Sequence, residues 1–149
     1  MTARRGPTKR ETTVVIKRLL APRLDVPYAL LRIVAGFLFF CHGAPKLLGW
    51  YGGFGQSPGA TAPLLSLIGL AGIIEVLGGA MISVGLLTRW VAFIASGEMA
   101  VAYFRAHFPR GWLPYLNGGE AAVIFCFLFL YLAAEGPGPY SVDRAVGHD

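Results

Sequence analysis

The chain has 149 residues, 55% hydrophobic and 14% charged, with a mean hydropathy of +0.58 and a formal net charge of +5. A soluble domain carries about 25% charged residues, and a disordered chain combines high charge with little apolar surface, so both classes are excluded. The length suits one domain, and the composition is that of a small membrane protein, whose helices tolerate Gly and Pro more often than soluble ones do.

Residues 1–26 form a basic arm that carries Arg4, Arg5, Lys9, Arg10, Lys17, Arg18 and Arg23. Such an arm can neutralise phosphates. This one holds no aromatic residue to stack on a base and leads straight into an apolar run, so it reads as a membrane-orientation signal and no nucleic-acid partner is expected. The run that follows is longer than the roughly 7–15 apolar residues of a secretory signal, so it reads as retained.

Four apolar runs follow in order, at about 28–48, 64–87, 89–106 and 119–135. Each is close to the ~20 residues that cross ~30 Å of hydrocarbon at 1.5 Å per residue. In lipid the backbone must satisfy its own hydrogen bonds, which predicts helices, and the runs lack the alternation of a barrel strand. Short connections predict an all-α, antiparallel bundle of four transmembrane helices over 27–136, followed by a short polar tail over 137–149. The basic arm, Arg89 and Arg144 outweigh Lys46, Arg105 and Arg110, which places both termini in the cytoplasm of a bacterial-type cytoplasmic membrane.

The informative residues are the ionisable ones inside the runs. A charge at mid-bilayer costs at least ~2.5–3.5 kcal/mol, so such groups face the bundle, pair or touch water. Arg32, Lys46 and Arg105 balance Glu75, Glu98 and Glu120, which predicts mutual neutralisation. At about 100° per residue, His42 and Lys46 are one turn apart and Lys46 lies about 40° from Arg32. Glu98 and Arg105, seven apart, share a face of the third run. Gly72, Glu75 and Gly79 share a face of the second, where small residues let helices approach closely. One polar cluster in the outer half of the bundle is therefore expected. It serves either as ion pairs that set helix register or as a site for a polar head group, a quinone ring or a proton relay.

Other chemistries find little support. Cys41 and Cys126 have no CxxC spacing and read as inert thiols, although their similar depth leaves a pair conceivable. His42, His107 and His148 form no recognisable metal set. Only His42 could ligate a haem, so no intrinsic cofactor is expected. Gly52-Gly53-Phe54-Gly55 lacks the strand, helix and lysine of a phosphate loop.

Leu31-Arg32, Gly36, His42-Gly43 and Lys46-Leu47 resemble the first-helix signature of the DoxX family. Gly72, Glu75, Gly78-Gly79, Gly85-Leu86 and Thr88-Arg89 are similar to its second helix and hairpin. Met99, Val101-Ala102-Tyr103, His107-Phe108-Pro109, Asn117-Gly118-Gly119-Glu120, Gly136-Pro137-Gly138 and Ser141-Val142-Asp143 are similar to its later helices, loop and tail. The resemblance covers residues 27–144. It implies a four-helix membrane fold and an association with quinone-linked oxidation, membrane oxidoreductase complexes and oxidative-stress defence. Arg32, His42, Lys46, Glu75 and Glu120 match the family's charged motif residues, while Glu98 rests on the helical arithmetic alone.

The leading expectation is a membrane subunit of a quinone-linked oxidoreductase system. Glu75 and Glu98 exchange protons, with His42 as a further catalytic candidate, and His42 and Lys46 polarise a quinone carbonyl or bind an anion. The expected ligand-binding set is Arg32, His42, Lys46, Glu75, Glu98, Arg105, Asn117 and Glu120, without a metal. The alternatives are a non-enzymatic assembly or anchoring module and a small-solute transporter. The lipid bilayer, membrane or membrane-associated proteins and further copies of the chain are the expected partners. A reporter fused after Asp149 and active only outside the membrane is expected to stay silent, and an active fusion would reverse the orientation.

Overall fold

The computed structural model describes residues 9–55 and 57–147, with side chains from Leu24 onward. Arg4, Arg5 and His148 lie outside the described residues, as do the side chains of Lys9, Arg10, Lys17, Arg18 and Arg23.

Helix is the only regular structure among the described residues, and it forms four rods. The first, α1, runs over Lys9–Leu48, so much of the basic arm is helical and continuous with the first apolar run. No glycine interrupts the sequence between Gly6 and Gly36, and Pro22 and Pro27 each remove one backbone donor without ending the helix. The second rod, α2, covers Leu67–Val84 and contains a π turn at Ile74–Gly78. It starts where Ser66 Oγ accepts from Gly69 N at 3.0 Å, and it ends where Gly85 turns left-handed at φ 74°. The third rod, α3, spans Thr88–Ala102 and continues as a second π turn, Tyr103–His107. The fourth, α4, covers Glu120–Glu135 and stops at Gly136, whose φ is 98°.

Two stretches, Leu24–Leu48 and Leu67–Val84, are long and apolar enough to cross a membrane. The α-helical parts of α3 and α4, with 15 and 16 residues, are shorter than the expected runs.

Neighbouring rods run antiparallel. Arg32 of α1 meets Ile82 and Ser83 at the end of α2, whereas Lys46 meets Glu75 in its first half. Likewise Arg89 at the start of α3 donates to the carbonyls of Ala133, Ala134 and Glu135 at the end of α4. Close packing couples α1 to α2 and α3 to α4. Glycine allows the first pairing, because a Cβ on Gly36 would lie 2.6 Å from Ser83 N and 2.7 Å from Gly79 O. The two pairs join through Phe39 of α1, whose ring stands edge-on to Phe129 at 4.7 Å, within a buried core that includes Ile82, Ala92, Ala95 and Leu132. The outward faces carry large exposed apolar residues on every rod, among them Phe37, Leu77, Phe93 and Phe127.

The C-terminal segment folds back over the α2–α3 hairpin. Asp143 is buried, and its two carboxylate oxygens accept from Leu87 N at 2.7 Å, Thr88 N at 2.9 Å and Thr88 Oγ1 at 3.0 Å. It thereby caps the N-terminus of α3 from 55 residues away, where a negative charge also suits the helix dipole. Asp143 N returns a bond to Gly85 O, and Tyr28 OH donates to Gly136 O. Asp143→Ala removes the cap and strands buried donors, so a loss of about 2–3 kcal/mol is expected. Thermal unfolding in detergent should show a smaller loss for Asp143→Asn, which keeps one acceptor oxygen.

Candidate functional site

The half of the bundle away from the hairpin, here the loop end, encloses a cavity of about 700 Å³ between all four rods. Its charged and polar lining comes from His42 and Lys46 on α1, Glu75 on α2, Glu98 on α3, and Arg105 and His107 on the π turn that continues α3. Apolar side chains such as Ile74, Met99 and Phe125 form most of the rest.

Local sequence explains how the charges meet. A Cβ on Gly43 would sit 2.7 Å from Glu75 Cβ, and one on Gly72 would sit 3.0 Å from Lys46 Cβ. Both glycines therefore let α1 and α2 approach until Lys46 Nζ reaches Glu75 Oε1 and Oε2, each at 2.6 Å. Glu75 is 1% exposed and the Lys46 side chain 23%, so the pair is largely withdrawn from its surroundings. Glu75 lies in one π turn, and Arg105 and His107 in the other. Such turns insert an extra residue into the helix and recur at functional sites.

Glu98 is different. Its Oε2 is buried, and it makes no hydrogen bond or ion pair among the described residues. A buried acceptor without a donor is costly, so a group that donates a hydrogen bond would be stabilised there. Across the cavity, His42 stands edge-on to Phe125 at 5.8 Å between ring centres.

The structure thus brings together His42, Lys46, Glu75, Glu98 and Arg105 of the expected set, and leaves three members outside the cavity. Arg32 is fully buried, but its guanidinium donates to Ile82 O at 2.9 Å, Ser83 O at 2.7 Å and Tyr140 O at 2.7 Å. Helical side chains lean toward their own N-terminus, and α1 starts at the hairpin side, so Arg32 reaches backbone carbonyls there and neutralises no cavity acid. Asn117 locks the loop-end connection by donating to Gly111 O at 2.6 Å and accepting from Gly119 N at 2.8 Å. Glu120 is exposed at the start of α4. The expected three-by-three neutralisation is therefore reduced to one ion pair, Lys46–Glu75, among the described residues. Cys41 and Cys126 are both free.

His107, which the expected set did not include, also lines the cavity. Nine residues beyond Glu98, a regular α-helix would turn it about 180° away. The π turn resets that register, and no residue pattern announces it.

Comparison with known proteins follows the same residues. A family model described as DoxX matches residues 28–108, a segment that contains all six charged and polar cavity residues. An uncharacterized protein of Haemophilus influenzae is 40% identical over 123 residues, covering 79% of this chain and 90% of that protein. The inner membrane protein YqjF of Escherichia coli is 32% identical over 134 residues, covering 80% of this chain and 92% of its own. No solved structure matches the chain.

Removing one partner of a buried ion pair leaves an uncompensated charge. Lys46→Met is expected to destabilise the protein by about 3 kcal/mol, the lower end of the range because Lys46 keeps some exposure. Lys46→Met combined with Glu75→Leu should recover most of that loss. A double-mutant cycle read by unfolding in detergent checks this, and additive losses would show that the pair is not coupled.

Proposed function

The chain belongs to the DoxX family, and from that premise we propose that it is a four-pass bacterial inner-membrane protein whose cavity receives a quinone, as the membrane subunit of a quinone-linked oxidoreductase system. The four-pass reading is supported by the outward faces, because a soluble monomer rarely exposes an apolar belt that takes in Phe37, Leu77, Phe93 and Phe127 on four different rods. Exposed Trp90, Tyr131 and Tyr140 at the hairpin end, and Trp50, Tyr51, Trp112 and Tyr115 at the loop end, suit the two interfacial aromatic belts. The 16 residues of α4 rise about 24 Å, and interfacial side chains make up the remainder of a bilayer core. The name of the YqjF relative supports the inner membrane as the location. The basic arm favours the hairpin end as the cytoplasmic side.

The observation that carries the quinone reading is the cavity's make-up. It is an apolar space of ligand size that contains a cationic donor, Lys46, on one wall and an unpartnered carboxylate oxygen, Glu98 Oε2, on another. A quinone has two carbonyl oxygens on an apolar ring. His42 and Lys46 polarise one of them by donating hydrogen bonds. Reduction to the quinol needs two electrons and two protons. The electrons come from an associated oxidoreductase; the protonated carboxyl of Glu98 gives one proton and the ammonium of the Lys46–Glu75 pair gives the other, and both sites are reprotonated from the aqueous side afterwards.

Purified protein is expected to bind decylubiquinone saturably, followed by quenching of its tryptophan fluorescence. Glu98→Gln leaves the Lys46–Glu75 pair intact and should unfold like wild type. It should lower quinone-dependent turnover of the co-isolated oxidoreductase by roughly 10²-fold, the usual weight of a positioned proton donor. Wild-type protein that neither binds the probe nor isolates with an oxidoreductase would leave the assembly reading in place of this one.

A further inference from the structure

We infer that the cavity opens sideways into the bilayer between α2 and α3, and that the aliphatic chain of an amphiphilic ligand lies in this opening across Gly97 while its head sits inside. The inference rests on the four-pass quinone reading and specifies how the ligand reaches and occupies the site.

Near the hairpin end α2 and α3 touch, since a Cβ on Gly78 would lie 3.4 Å from Val91 Cγ1. Toward the loop end, cavity takes up the space between them. Leu67 and Leu70 of α2 and Ile94 and Val101 of α3 all line that cavity, yet they are 62%, 51%, 55% and 55% exposed. These four side chains form a rim with one flank on the cavity and the other on the surroundings. In a four-pass protein that rim faces acyl chains.

Gly97 lies on the rim between Ile94 and Val101, at the helical spacings that align residues on one face. A Cβ there would meet no atom within 4 Å. Gly36, Gly43 and Gly79, by contrast, each face a neighbouring backbone so closely that a side chain could not fit. Gly97 has no such neighbour, although glycine is a poor helix former in mid-rod. Its missing side chain leaves a channel, and the next residue is Glu98, with its unpartnered oxygen. A chain passing over Gly97 therefore delivers its head to Glu98, with the Lys46–Glu75 pair opposite. The geometry selects a ligand with an aliphatic chain and a hydrogen-bonding head.

Two measurements test this. In the first, Gly97→Leu puts a side chain into the open space over Gly97, where a Cβ meets no neighbouring rod. Its affinity for decylubiquinone should fall about tenfold or more, while a chainless dimethoxy-methyl-benzoquinone binds as to wild type. Unchanged binding of both probes overturns the inference and leaves the quinone reading standing. Equal loss of both overturns the path assigned to the chain. The second measurement needs no ligand. A bimane label on Gly97→Cys, with Cys41 and Cys126 replaced by Ala and the protein in lipid nanodiscs, should be quenched by a phosphatidylcholine bearing a nitroxide on its acyl chain. Quenching by aqueous iodide alone would overturn the lateral opening even if no quinone binds.

Discussion

The bundle is organised around the contact between Lys46 and Glu75. A carboxylate that is 1% exposed in an apolar interior requires a counter-charge, and Lys46 supplies it to both oxygens. That bond forms only because Gly43 and Gly72 remove the side chains that would hold α1 and α2 apart. The pair therefore fixes the register of α1 against α2. It also makes those two rods one unit, which meets the α3–α4 unit through Phe39 and Phe129 but diverges from it toward the loop end.

The two ends of the bundle treat polar groups in opposite ways. At the hairpin end, Arg32, Asp143, Tyr28 and Arg89 direct their bonds to backbone carbonyls and amides, tying helix ends and tail together. Those bonds satisfy groups that helix termini would otherwise leave open. At the loop end, charged side chains line one cavity, and Glu98 Oε2 finds no partner among the described residues. The first arrangement holds the fold together. The second leaves capacity for a ligand.

Much of this was legible in the residues. Hydropathy located the four rods but ran the second over about 64–87, whereas the caps at Ser66 and Gly85 confine it to Leu67–Val84. Helical arithmetic expected His42, Lys46, Glu75, Glu98 and Arg105 together, and all five line one cavity, although Glu75 and Arg105 sit in π turns that the arithmetic did not foresee. It misplaced Arg32, since an angle fixes a face but not the direction in which a long side chain leans along the axis. It missed His107, whose register the π turn changes. Asn117 and Glu120 fell near the site in sequence, but the amide of Asn117 serves the loop. The role of Asp143 left no local trace, because its partners Leu87 and Thr88 lie in another hairpin.

Gly97 and Glu98 are adjacent, and each is a poor choice for stability alone. A glycine facing open space in mid-rod weakens the helix, and a buried carboxylate oxygen without a donor adds a desolvation penalty. Alanine at the first would remove the backbone penalty, and an apolar residue at the second would remove the buried acceptor. Local choices that conflict with stability, without a compensating contact, are the expected mark of a working surface. Here the two conflicts coincide on one wall, where the glycine gives room and the acid gives a protonatable acceptor. On the proposed reading the opposite wall, held by Lys46 and Glu75, stays fixed while this wall takes the ligand.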